Sequence, residues 1–308
     1  MDRCVAVMIY PVVILGGLTA SWALFRWTGT WTGVGLVVIL AVAIALGRLE
    51  RRWPFERSWA EDRTEEANDL FHTWVSTIGS GTLFQTLAFP AASALGGLLW
   101  SALGAELAPW PSTWPMPIQL LVALHVAELG GYASHRLLHS RWLFRFHALH
   151  HSPSRVYYLN AARNHPIDAV LSVAASTTPL ALLGAGGEVM ALLGVLAGLH
   201  GLMQHANLDY RLGPLSSVLS VGEVHRFHHS RDLREAEANF GNILLVYDRL
   251  FGTLRVPDGR RPLELGLVSG AAPSTRILEQ LVSPFRAACA SSEDEPAQRL
   301  SPRPSRQP

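Results

Sequence analysis

The sequence predicts an all-α fold: a polytopic membrane helical bundle of about four to six spans, with a cytoplasmic, histidine-rich helical cap. Three observations lead there. Of 308 residues, 49% are hydrophobic and only 16% charged, against about a quarter charged in ordinary soluble domains. The apolar residues fall in runs long enough to cross a bilayer. The 13 histidines crowd into the polar segments that follow those runs. Mean hydropathy is +0.21, enough apolar surface to exclude disorder over most of the chain. Twenty-five basic against 24 acidic residues leave no basic field, so nucleic acid is not an expected partner. Every basic residue is arginine, which with the wealth of Ala, Gly and Leu suggests a GC-rich bacterial genome.

The elements follow in order. Val5 to Phe25 is a charge-free run. It is too long for a signal-peptide core and lacks an A-x-A site, so it reads as an uncleaved span. Trp31 to Gly47 is a second run, and Arg48 to Asn68 is a charged surface or interfacial segment containing Trp53-Pro54. Val75 to Trp100 is a third span, with Pro90 inside it, and Pro115 to Ala133 a fourth. Ile167 to Gln204 is too long for one span and breaks at Gly184-Ala185-Gly186-Gly187 into a helical hairpin of marginal length, spanning or re-entrant.

Arginine placement orients the bundle. Arg48, Arg51, Arg52, Arg57 and Arg63 follow the second span; Arg136, Arg141, Arg145, Arg155 and Arg163 follow the fourth. The loop Ser101 to Pro115 and the hairpin tip carry none. Six spans with both termini inside put each arginine-rich loop in the cytoplasm, Arg26 being a mild exception. The chain divides at 1–115 (N-terminal helices and interfacial segment), 116–257 (catalytic domain), 258–290 (interfacial segment with an amphipathic helix over 274–289) and 291–308 (disordered tail). Cys4 and Cys289 lie near opposite ends and give no disulfide framework or cysteine-based metal site.

Eleven histidines lie between 135 and 229. His135 and His139 are spaced i, i+4; His147, His150 and His151 are spaced i, i+3, i+4; His225, His228 and His229 repeat that pattern. Each set lies on one helical face. Imidazole suits Fe, Zn, Cu and Ni, and eight rings converging from three helices, with His165 and His205 between them, fit two ions. A lone histidine is more often structural than a ligand, which applies to His72, His125 and His200. No Glu-x-x-His, His-Glu-x-x-His or G-x-S-x-G occurs, so carboxylate-bridged di-iron, zincin and serine-hydrolase sites are disfavoured.

At these residues the chain resembles the fatty acid hydroxylase / sterol desaturase superfamily of integral membrane oxygenases, from Glu128 to Pro257. Glu128 and Tyr132 precede His135-x-x-x-His139, with Glu in place of the commoner Asp. Arg141-Trp142-Leu143-Phe144-Arg145-Phe146 leads into His147, His150, His151 and Ser152. Arg163-Asn164-His165-Pro166 matches the R-x-HP element, His205 the single histidine before the last cluster, and His225, His228, His229 that cluster. Asn239-Phe240-Gly241 and Tyr247-Asp248-Arg249-Leu250-Phe251-Gly252-Thr253 close the pattern, with Tyr247 where Trp is usual.

The resemblance implies a non-haem di-iron centre that activates O2 and hydroxylates or desaturates a lipid, fatty-acyl or sterol-like substrate, hydroxylation favoured. It implies two Fe ions, with Zn an alternative occupant in purified protein. The implied ligands are His135, His139, His147, His150, His151, His205, His225, His228 and His229, with His165 a tenth family histidine. Glu128, Asp168, Asp209, Glu223 and Asp232 are candidates to hold ligand imidazoles from behind, and Arg136, Arg226 and Arg231 to meet anionic head groups. The metals then lie at the cytoplasmic boundary of a bacterial inner membrane, where an alkyl chain enters sideways. No cytochrome, flavin or ferredoxin segment is present, so two electrons per O2 come from a separate donor protein. Competing readings are a non-catalytic metal or haem-binding membrane protein, which a Soret band would reveal, a metal transporter, and a zinc-dependent membrane hydrolase, whose turnover needs no O2.

Overall fold

The computed structural model describes residues 3–31, 33–105, 108–255, 262, 264–267 and 274–290; the tail expected over 291–308 lies outside them. The described residues are helical with no strand beyond three isolated bridges. Helices α1 (Arg3–Thr28) and α2 (Val34–Arg52) form an antiparallel pair, followed by the short α3 (Arg57–Glu61). A long helix, α4 (Glu66–Ala102), comes next. It is wound as π-helix over Thr73–Gly79 and Phe84–Ala88. The second wide turn ends just before Pro90, whose ring and missing N–H a regular α-turn would not accommodate.

Then come α5 (Met116–Leu138), α6 (Phe144–His151), and the hairpin α7 (Pro166–Leu183) and α8 (Gly187–His205). The hairpin turns at Gly184 in the left-handed region, φ 84°. The polar region holds α9 (Gly222–His228), α10 (Leu233–Ala236), α11 (Val246–Leu250) and the amphipathic α12 (Ile277–Ala290).

Helices stand at all of the predicted spans. Four are long and apolar enough to cross a bilayer: Cys4–Thr28, Glu66–Ala102, Pro166–Leu183 and Gly187–His205. The other two carry charge or polarity within the helix: Arg48, Glu50, Arg51 and Arg52 in α2, and Gln119, His125, Glu128, His135 and Arg136 in α5.

Two apolar clusters hold the bundle. One joins α1, α2 and α8 to the segment after α8, through Tyr10, Leu46, Leu199, Met203, Leu208 and Tyr210. The other joins α5 to the α7–α8 hairpin through Ala123, Ala127, Leu180, Val189 and Leu193. Lipid supplies little hydrophobic drive between spans, so close backbone approach matters. At Gly130 of α5 a Cβ would stand 2.0 Å from the Ala175 carbonyl oxygen of α7, so only glycine permits that crossing.

The lone histidines serve this framework. His200 bonds the Tyr10 hydroxyl at 2.6 Å and the Ser220 carbonyl at 3.0 Å, tying α8 to α1. His72 bonds Gln280 of α12 at 2.8 Å and Ser76 at 3.2 Å. His125 donates to the Leu121 carbonyl at 2.9 Å.

Candidate metal centre

Four helix ends meet at one place. His135 and His139 close α5, with Leu138 buried behind them. The apolar pair Ala148 and Leu149 seats α6 so that His147, His150 and His151 are all buried. His205 is the last residue of α8, and His225, His228 and His229 come from α9 and its C-cap. Asn207 fixes the chain as it leaves α8: its side chain takes the Glu56 amide at 2.9 Å and donates to the Glu56 carbonyl at 3.0 Å.

The nine histidines form two groups. His135, His139, His147, His151 and His228 offer ligand nitrogens within 4.8 Å of one another, and so do His150, His205, His225 and His229. The i, i+3, i+4 spacing divides between the groups. In α6 the outer pair, His147 and His151, serves the first group and His150 the second. In α9 the outer pair, His225 and His229, serves the second and His228 the first. Each helix therefore builds one group and lends one imidazole to the other; the His151 and His229 rings stack at 4.6 Å.

Ring orientation is fixed from behind. Nδ1 of His135 donates to the Phe240 carbonyl and Nδ1 of His228 to the Ala238 carbonyl, both at 2.8 Å. His147 Nδ1 donates to Asp168 at 2.8 Å, His139 Nδ1 to Glu237 at 3.2 Å, and His205 Nδ1 to the Gly201 carbonyl at 3.1 Å. A proton on Nδ1 leaves Nε2 with a bare lone pair. Those lone pairs face one another: His135 Nε2 is 2.9 Å from His228 Nε2 and 3.1 Å from His147 Nε2. In the second group, where Nδ1 of His205 is held but Nδ1 of His150 and of His225 is buried without a partner, the Nε2–Nε2 spacings are 3.2 Å (His205–His225), 3.4 Å (His150–His205) and 2.9 Å (His225–His229).

Lone pairs do not bond each other, whereas a metal at about 2.0–2.1 Å from each nitrogen sets its ligands roughly 2.9–3.4 Å apart for angles near 90–110°. His139 Nε2 and His151 Nε2 are likewise buried without a partner. The donor set therefore fits two cations. Burial, joined by the neighbouring imidazoles, pushes His147, His150, His151, His225, His228 and His229 well below the usual histidine range. Neutral imidazole is the ligating form.

The two carbonyls that hold His135 and His228 come from a braced loop. Asn239 between them sits at φ 58°, a left-handed conformation Asn tolerates. Its side chain donates to the Arg255 carbonyl and accepts the Arg255 amide, each at 2.8 Å. Asp248 accepts the amides of Phe240 and Gly241 at 2.8 and 2.7 Å, and a Cβ at Gly241 would stand 2.3 Å from the Leu244 carbonyl oxygen. Glu128 accepts the amides of Asn242 and Ile243 at 2.6 and 3.0 Å.

Other expected positions lie apart. His165 is in neither group: its Nδ1 accepts the Ile167 amide at 3.1 Å, capping α7, and its Nε2 donates to the Leu281 carbonyl of α12 at 3.1 Å. Of the acids expected behind ligands, Asp168 is bonded to one. Glu128 acts through the loop, Asp209 pairs with Arg211 at 3.6 Å, Asp232 caps α10 through the Arg234 amide, and Glu223 is half-buried in the first turn of α9. Glu237 escaped the sequence reading because no spacing ties it to His139.

The head-group expectation fails for Arg226. It is buried, its guanidinium lies 3.8 Å over the Phe55 ring, and it donates to the carbonyls of Ala206 and Leu208 at 2.9 Å. Arg136 donates to the Tyr132 hydroxyl, and Arg231 pairs with Glu264 at 2.8 Å.

The profile of the fatty acid hydroxylase family matches residues 120–253. An ornithine lipid hydroxylase of Rhizobium tropici is 34% identical over 282 residues, which cover 91% of this chain and 84% of that one. An alkylglycerol monooxygenase of Danio rerio is 33% identical over 146 residues, 47% of this chain and 31% of that one. A methylsterol monooxygenase of Arabidopsis thaliana is 26% identical over 148 residues, 47% of this chain and 55% of that one. The match thus spans less than two thirds of the length of the latter two. No solved structure matches.

Proposed function

The chain belongs to the fatty acid hydroxylase family, and from that premise we propose that it is a membrane-bound, O2-dependent di-iron oxygenase that hydroxylates a lipid. The metal ligands are His135, His139, His147, His151 and His228 for one ion and His150, His205, His225 and His229 for the other. The observation that carries this reading is the pair of buried histidine groups whose Nε2 atoms face one another at 2.9–3.4 Å, with Nδ1 protons in the first group held by Phe240, Asp168 and Ala238 so that Nε2 is bare. The relative similar along nearly the whole chain is named for an ornithine lipid, which supports a polar lipid with an amino-acid head group as the substrate class.

Two irons bound there would supply the activation of O2 that attack on an unactivated C–H bond requires. The chain's own residues do the rest. Asp168, Glu237 and the carbonyls of Ala238, Phe240 and Gly201 hold protons on Nδ1 and aim five rings. The Phe240 ring lies 5.0–5.8 Å from those of His135, His139 and His228, and Phe144 lies 5.5 Å from His139. No carboxylate is in either ligand group; the acids nearest them, Asp168 and Glu237, stand behind His147 and His139. The two electrons per O2 come from a separate donor protein on the cytoplasmic side of the inner membrane.

The test is metal analysis and O2 uptake on purified protein. Iron of at least one equivalent and lipid-dependent O2 uptake are expected, with both reduced in His150→Ala and His228→Ala. Full metal content and activity in both variants would sink the assignment. Lipid turnover that continues without O2 would instead indicate a zinc hydrolase.

A further inference from the structure

The chain comes back to the metal centre after the family match has ended at residue 253. Residues 264–267 run antiparallel to the end of α9. The Gly266 amide donates to the His229 carbonyl and the Arg231 amide to the Glu264 carbonyl, both at 3.0 Å, with Leu265 opposite Ser230. Leu265 is buried, and the Glu264 carboxylate accepts a bond from the Arg231 side chain at 2.8 Å.

This strap meets α9 where the helix stops holding its own chain. His229 is the C-cap, and its amide reaches the His225 carbonyl at a long 3.3 Å. A carbonyl at a helix end needs a partner from outside the helix, and Gly266 supplies it. His229 is not among the five rings held by an oxygen on Nδ1, so the path of its backbone decides where the ring stands. The same glycine closes on α6. A Cβ at Gly266 would stand 3.0 Å from the Pro153 carbonyl oxygen and 3.2 Å from that of Ser152, the residue after His151. Its φ of 92° lies in the left-handed region that side chains disfavour. One residue thus joins the ends of the two helices that exchange imidazoles, whose last rings, His151 and His229, stack at 4.6 Å.

We propose that residues 264–267 are a positioning strap for the metal centre, in which Gly266 sets the separation of α6 and α9 at their ends and so places His229 in the second group. The proposal rests on the reading of the two histidine groups as metal sites and on no feature of the reaction. The first group has five histidines and the second four, so a displaced His151 leaves four donors whereas a displaced His229 leaves three. The second ion is therefore the one that the strap protects.

Chelator competition on the detergent-solubilised, iron-loaded full chain tests this, reading the equivalents of metal retained. Wild type is expected to hold two. In Gly266→Ala, whose methyl meets the Pro153 carbonyl, one equivalent is expected to leave about 10–100-fold more readily, the range typical when the support behind a ligand is removed, and the other to stay. Leu265→Ala keeps the Gly266 backbone and is expected to act in the same direction, which carries the test if Gly266→Ala does not fold. Leu265→Ile restores an apolar side chain of full size and is expected to retain both equivalents. Glu264→Gln, which alters only the exposed pair with Arg231, is expected to retain both as well. In a His229→Ala background Gly266→Ala should cost no further equivalent, because contacts that act through one ring are not additive. Two equivalents held as tightly by Gly266→Ala and Leu265→Ala as by wild type would overturn the strap and leave the metal reading standing. Equal weakening of both equivalents, or a Gly266→Ala loss undiminished in the His229→Ala background, would also overturn it. Wild-type protein that binds no metal would sink the metal reading and the strap together.

Discussion

Asp168 is 2% exposed and meets one of the proposed ligands, His147. Contacts of this kind set the tautomer and aim of a ligating imidazole, and their loss typically costs about 10–100-fold in metal affinity. Asp168→Ala is expected to weaken metal retention within that range in competition with a chelator, more than Asp232→Ala, which removes only a helix cap. Equal retention in the two variants would mean that His147 is aimed by packing alone. Asp168 was open to sequence reasoning as an acid near the histidines, whereas Glu237 was not, because its contact with His139 crosses 98 residues. His72 and His200 stand outside both groups, and their partners, Tyr10, Ser220 and Gln280, come from distant segments that no local pattern links.

At the scale of elements, the repeated i, i+3, i+4 spacing guarantees that three imidazoles share a helical face. It does not say which group each joins. The packing of α6 against α9 decides that, sending His150 and His151 to different groups. His150→Ala and His151→Ala are therefore expected each to lose part of the metal, but from different groups, so that the double variant loses more than either; identical losses in all three would contradict two groups. The α5–α7 crossing makes a second prediction. Alanine at Gly130 would drive its methyl into the Ala175 carbonyl, and overpacking of that kind costs about 1–3 kcal/mol or more. The melting temperature should fall by several degrees, while Gly97→Ala, at a helical site facing open space, leaves it unchanged or raises it slightly.

For the molecule as a whole, pH acts through the buried imidazoles. His147, His150, His151, His225, His228 and His229 are held well below the ordinary range, while in the unfolded chain they take protons near pH 6.5. Below that pH the unfolded state binds more protons than the folded one, so stability falls as pH falls; above it the groups are neutral in both states and contribute no slope. Protons also compete with metal for the same nitrogens. Melting temperature and bound metal are expected to fall together between about pH 7 and pH 5. Constancy of both across that range would contradict a site built of neutral imidazoles.

The sequence by itself determined the helical membrane class and the nine clustered histidines, because both are local. Span length follows from bilayer thickness, and ligand spacing follows from the helical repeat. Only the tertiary structure decided which histidines share a group and which oxygens aim them, and it alone took Arg226 into the interior and made His165 a helix cap. Apart from the local His165 cap and the His205 bond to Gly201, those outcomes depend on contacts between residues from 10 to 105 positions apart, which are set by how whole helices pack and leave no periodicity in the chain.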